Sequence, residues 1–204
     1  MSSDEVVSRL QRIYAAVDAI VEGDLTKFRP VVFQDEQRIG LLHEFSGGLT
    51  ASEIENLAQS VIANIASLHD HLCGWARRNG HDPNRIRGVL ATSLPLQIIT
   101  DLWNNDKHGV PSRTGDRGKS GRAPRLIEIR RTLRLTTGPM AGSAVAMTFL
   151  PSGAIQTGGT GAAQVVITGQ VVDSQGAAIG DLYDLEVAAL EAWEHELTSL
   201  GLLT

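Results

Sequence analysis

The sequence predicts an α+β protein: an N-terminal bundle of about four helices, then a small antiparallel sheet and a C-terminal helix. Three observations predict it. Apolar residues recur at helical spacing through much of the first 108 positions, Gly109–Gly121 interrupts that pattern with four glycines and a proline, and the segments beyond alternate with period two. Helices followed by strands, with no strand–helix–strand alternation, belong to the α+β class.

The first helix is expected over Asp4–Glu22, where Val6, Val7, Leu10, Ile13, Tyr14, Val17, Ile20 and Val21 line one face and Gly23-Asp24 supplies a stop. From Leu25 to Gly48 no period holds, apart from an expected short edge strand at Phe28–Phe33. A second helix opens at Thr50, because Thr50-Ala51-Ser52-Glu53 is a capping box, and its apolar positions Ile54, Leu57, Val61, Ile62, Ile65, Leu68, Leu72 and Trp75 run to a stop at Asn79-Gly80. Pro83 begins a shorter helix. Ser93 caps another, with Pro95 in its first turn and Leu96, Ile98, Ile99, Leu102 and Trp103 facing inward. If the first two helices share a core, Leu10→Ala and Ile65→Ala should each cost roughly 2–5 kcal/mol.

Strands are expected at Leu126–Leu135, Ser143–Leu150 and Gln164–Val172, as antiparallel hairpin strands. Turn residues stand at Gly138–Gly142, Pro151-Ser152-Gly153 and Asp173–Gly176. The run Gly158–Ala163 reads as a hairpin connection, since it lacks the Lys-Ser/Thr of a phosphate-binding loop and precedes a strand. A last helix begins at Asp181. The organisation is therefore residues 1–110 as bundle, 111–124 as a basic glycine-rich loop and 125–204 as sheet plus helix, packed as one unit.

With 204 residues, 42% hydrophobic and 20% charged, the chain is long and apolar enough for one core, which excludes global disorder. Its longest apolar runs, such as Ala144–Met147, fall far short of the roughly 18 residues a membrane span needs. An acidic Met1-Ser2-Ser3-Asp4-Glu5 start without an apolar stretch behind it, and a single cysteine, Cys73, lead to the expectation of a cytoplasmic protein. No motif demands a cofactor. Cys73 follows Leu72 in mid-helix and reads as a buried structural thiol.

Charge is uneven. Between residues 113 and 134, Arg113, Arg117, Lys119, Arg122, Arg125, Arg130, Arg131 and Arg134 stand against Asp116 and Glu128, a local +6 on a chain of formal charge −5, which leaves −11 elsewhere. A basic loop feeding a strand on which Arg130 and Arg134 share a face suits contact with RNA phosphates. No aromatic residue interleaves these cations, so base stacking is not expected there.

Two polar clusters stand out on the helices. Asp101, Asn104, Asn105 and His108 share a face by their spacing, with Lys107 beside them, and Ser67–Trp75 packs His69, Asp70 and His71 into one turn. In a catalytic reading His108 is the acid/base group, Asp101 or Asn104 orients it, and Lys107 contacts phosphate. The bland alternative is a helix end, where Lys and His favour the negative pole of the dipole.

The segments Ser67–Trp75 and Asp101-x-x-Asn104-x-x-Lys107-His108 resemble HEPN-like helical bundles of uncharacterised bacterial proteins, over about the first half of the chain. The resemblance implies a bacterial accessory protein that binds RNA or a protein partner, in a defence or toxin system. Catalytic members carry an arginine four to six residues before a histidine. Here the nearest arginine before His108 is Arg87, and Arg77-Arg78-Asn79-Gly80-His81 is spaced too closely. What carries over is the bundle and the Asn104, Lys107, His108 end of its last helix. A second reading takes His43, His69, Asp70 and Asp101 in the ligand order of HD-type metal phosphohydrolases. A third is an interaction module whose sheet edge or bundle face meets a protein partner or a second copy.

Overall fold

A computed structural model describes residues 3–34, 39–108, 119–150 and 152–203 of the chain. Its class is α+β. Five helices, α1 (Ser3–Ile20), α2 (Ala51–Arg78), α3 (Pro83–Thr92), α4 (Leu94–His108) and α5 (Leu182–Ser199), accompany strands β1 (Val21–Glu22), β2 (Val31–Gln34), β3 (Ile39–Leu42), β4 (Arg125–Thr136), β5 (Val145–Phe149), β6 (Ile155–Gly159), β7 (Ala162–Val172) and β8 (Ala178–Asp181). None of these helices is long and apolar enough to cross a membrane.

Local chemistry sets the helix ends. Thr50 Oγ1 accepts from the Glu53 N–H while the Glu53 carboxylate accepts from the Thr50 N–H, so the capping box forms reciprocally at the start of α2. Asp82 caps α3 through the Asn84 N–H, with Pro83 at the position that has no backbone partner to lose. Asp181 caps α5 through the Tyr183 N–H.

The main sheet is antiparallel, and β7 is its centre. β4 pairs along one side of β7, while β1 and β8 lie end to end on the other. This corrects the expected order of consecutive hairpin strands, because β4 pairs with β7 and β5 pairs with β6. Gly158–Ala163 is accordingly a corner, at which β6 runs on into β7. The N–H groups of Thr160 and Gly161 both donate to the Ala144 carbonyl, and Gly159 has φ +105, with its missing Cβ only 2.2 Å from that same oxygen. The β5–β6 hairpin closes through the Leu150 N–H to the Ala154 carbonyl and the Gly153 N–H to the Leu150 carbonyl. A bulge between Ile127 and Arg130 sets two residues opposite Gly169, where a side chain would collide with Leu126 and the Ile127 carbonyl.

The 25–48 stretch also holds more structure than expected: a 3₁₀ turn at Leu25–Lys27 and a separate two-stranded β2–β3 hairpin. Of the basic loop, residues 109–118 lie outside the described residues, and with them Arg113 and Arg117.

One apolar core joins the helices to the sheet. It includes Leu10 and Ile13 of α1, Ile62, Ile65 and Leu72 of α2, Ile98 and Ile99 of α4, Ile167 and Val171 of β7, and Trp193 and Leu197 of α5. Each such side chain, fully withdrawn from water, contributes roughly 1.5–3 kcal/mol relative to exposure. Leu25, Phe28, Ile155 and Val165 form a second, smaller core beneath the hairpins, where the Arg131 guanidinium lies 5.2 Å from the Phe28 ring centre. Polar bridges tie α5 to its neighbours: Arg85 pairs with Glu196, and the Tyr14 hydroxyl donates to Glu194.

Candidate functional site

The polar face of α4 turns toward the polypeptide itself. Asp101, only 3% exposed, accepts from the Lys119 N–H (2.7 Å), the Ser120 N–H (2.8 Å) and the Ser120 hydroxyl (2.7 Å). One helical turn on, Asn105 Nδ2 donates to the Pro124 carbonyl. The face therefore pins residues 119–124 against the helix. Lys107 lies with its ammonium 5.3 Å from the Trp103 ring centre, Asn104 is partly buried, and His108 is exposed at the last helical position.

What the pinning achieves is the position of Lys119. Its side chain, with His69 of α2, Arg87, Leu90 and Ala91 of α3 and Gln97 of α4, lines a cleft of about 420 Å³. His69 of α2 and Gln97 of α4 thus line one cleft, and Asp101 serves it by holding the Lys119–Ser120 backbone. Among the described residues three of the six that line it are basic, and none is a carboxylate. Arg87 is steadied by Asn84 Oδ1 at 2.9 Å, and the Gln97 amide donates to the Ala91 carbonyl.

Behind His69 stands a short relay. Its Nδ1 lies 3.0 Å from Asp70 Oδ1, and its Nε2 lies 3.6 Å from Cys73 Sγ. Burial pushes the Cys73 thiol up, with Arg87 and Arg77 pulling the other way and Asp70 adding to the rise. A thiol held protonated is a poor nucleophile, so the contact serves to orient the imidazole.

No protein-family model, no curated protein and no solved structure matches this chain. The geometry of the side chains therefore carries the functional argument.

The metal quartet does not assemble. His43 sits after β3 between aromatic rings, 6.2 Å from Phe45 and 5.1 Å from Phe149, while Asp70 is largely exposed and Asp101 is saturated by its loop. Among the described residues no three His, Cys, Asp or Glu side chains form a group that could hold a metal ion. Of the basic run, Lys119 reaches the cleft. Arg134 is neutralised by Asp184 and Asp181 at the start of α5 and covers Tyr183, and Arg130 stands 3.7 Å from Glu128 beside a second, mixed-charge cleft of about 280 Å³ that also holds Asp181. Arg122 and Arg125 are exposed. Arg87 and Gln97 escaped the sequence reading, because one arginine and one glutamine on amphipathic helices carry no spacing signal until α3 and α4 are folded together.

Proposed function

We propose that this chain is an RNA-binding accessory protein that seats a nucleotide of a single strand in the cleft between α2, α3 and α4. One observation carries the reading: His69, Arg87 and Lys119 converge on a cavity that no acid lines among the described residues. Arg87 and Lys119 supply phosphate contacts, Leu90 and Ala91 an apolar wall for a base, and Gln97 an amide for its edge. The volume suits a ligand of nucleotide size. Binding without cleavage fits the raised thiol and the bonded Asp101, neither of which is free for chemistry. The bacterial, HEPN-like and defence-associated parts of the proposal rest on the resemblance alone.

The test is fluorescence anisotropy of a short labelled single-stranded RNA across a salt series. Affinity should fall steeply with salt, and Arg87→Gln or Lys119→Gln should each weaken it about tenfold and flatten the salt slope by about one. Unchanged binding in the double variant would remove the proposal.

A protein-partner reading is favoured by the exposed cross-strand pair Val31 and Leu42, which leaves an apolar spot on the β2–β3 hairpin. Light scattering after size exclusion tests self-association, and Val31→Ser should dissolve any dimer made there.

A further inference from the structure

Helix α2 carries a second polar face, which the cleft does not use. Ser67, His71, Gly74 and Arg78 follow one another at spacings of four, three and four, so they form one stripe, whereas His69, two residues from His71, points elsewhere around the helix. The stripe meets α1. Arg9 Nη2 donates to Ser67 Oγ at 3.1 Å, and Arg12 lies three residues further along α1 on the same side. Arg78 folds back along its own helix over Gly74, where an added Cβ would stand 3.4 Å from Nη2.

Among the described residues no carboxylate pairs with Arg9, Arg12 or Arg78, and Asp70, the neighbouring acid, is bonded to His69. Arg9 Nε is buried with no hydrogen-bond partner among the described residues, an unused donor next to the Nη2 contact with Ser67. The electrostatics agree. Burial lowers the affinity of His71 for a proton, Arg9 lowers it further, Asp70 opposes them, and Arg12 and Arg78 add to the lowering. Burial and then Arg12 act on Arg9 in the same sense. Like charges gathered in a half-buried groove repel unless an anion joins them.

We propose that the α1–α2 groove binds a phosphate group, with Arg9, Arg12 and Arg78 as its cations and the His71 imidazole as a further donor. Ser67 holds Arg9 in place as a positioning residue. Tetrahedral phosphate oxygens accept several donors at once, and guanidinium forks are the side chains best suited to supply them. The groove lies on a different face of α2 from the His69 cleft, so the two sites stand or fall separately.

The His71 ring reports on the site directly. Its imidazole nitrogens can be followed by nuclear magnetic resonance through a pH titration, without ligand, with inorganic phosphate and with a diribonucleotide. A bound phosphate should raise the His71 midpoint by about one pH unit, because an opposite charge now faces the ring. A response to inorganic phosphate identifies a small-anion site. A response to the diribonucleotide alone identifies a backbone phosphodiester contact. Arg78→Gln and Arg9→Gln should each weaken the response about tenfold, while Lys119→Gln leaves it intact. Arg12 and Arg78 are exposed, so Arg12→Gln and Arg78→Gln keep the test valid if Arg9→Gln fails to fold. A His71 midpoint unmoved by either ligand, or a response abolished by Lys119→Gln, overturns the proposal.

Discussion

Asp101 and Glu186 are both buried acids, and their surroundings give them opposite consequences. Asp101 receives three hydrogen bonds from the Lys119–Ser120 turn, so its charge is solvated by the protein. Asp101→Asn replaces an acceptor with an amide donor facing N–H groups. It should cost about 1–3 kcal/mol and also weaken RNA binding by releasing Lys119, which denaturation and anisotropy on one preparation would show. Glu186 is 1% exposed, and neither carboxylate oxygen has a hydrogen-bond partner among the described residues. Burial, helped by the nearby Asp181, pushes its carboxyl well above its ordinary value of 4.5. The unfolded chain therefore releases this proton at lower pH than the folded one, and stability falls by about 1.4 kcal/mol per pH unit between the two midpoints. Glu186→Gln should match the native protein below pH ~4 and exceed it at neutral pH, as urea titrations across that range would reveal. A variant less stable at neutral pH would mean that the carboxylate is ionised and paired. Asp101 was legible as part of a polar face, but its partners lie 18 and 19 residues away across a loop, a distance no local pattern encodes.

At the scale of elements, legibility tracked how much each segment's own pattern decided its structure. α1, α2, α4 and α5 have long apolar stripes and form where periodicity places them, although α1 ends at Ile20, because Val21 and Glu22, expected as its last residues, pair with β7 as β1. α2 and α5 have side-chain caps that act within one turn. Thr50→Ala should therefore cost about 1 kcal/mol, measurable by thermal melting, because the Glu53 N–H loses its acceptor and the Glu53 carboxylate loses the Thr50 hydroxyl. Strands depend on partners remote in sequence. β6 buries Ile155 and exposes its other four residues, so it shows no alternation, and its place comes from pairing with β5. Val31 and Leu42 pair while both remain more than half exposed, so this cross-strand pair gives no apolar-inward signal. The basic run was visible as charge, yet the pairing of Arg134 with Asp184, fifty residues later, separates a structural arginine from Lys119, which lines the cleft.

The molecule as a whole is joined by a core that the boundary at residue 110 does not divide. Ile65 of α2, Ile167 of β7 and Trp193 of α5 belong to the same buried cluster, and all three are at most 1% exposed. Helix and sheet thus exclude water from each other, and neither half retains its apolar cover if the other opens. Leu10→Ala, Ile65→Ala and Ile167→Ala should each cost roughly 2–5 kcal/mol, although they lie on α1, α2 and the central strand. The sharper expectation concerns how unfolding proceeds. Far-ultraviolet dichroism follows mainly the helices, whereas tryptophan fluorescence follows the buried rings of Trp75 and Trp193 within the shared core. In the native protein and in Ile167→Ala the two signals should change at one denaturant midpoint, shifted together to lower concentration in the variant. If Ile167→Ala instead split the transition, with helical dichroism persisting after tryptophan fluorescence had changed, the sheet would be an appendage to an independently stable bundle. The burial of a β7 isoleucine in the core that β7 shares with α2 and α5 argues for the single transition.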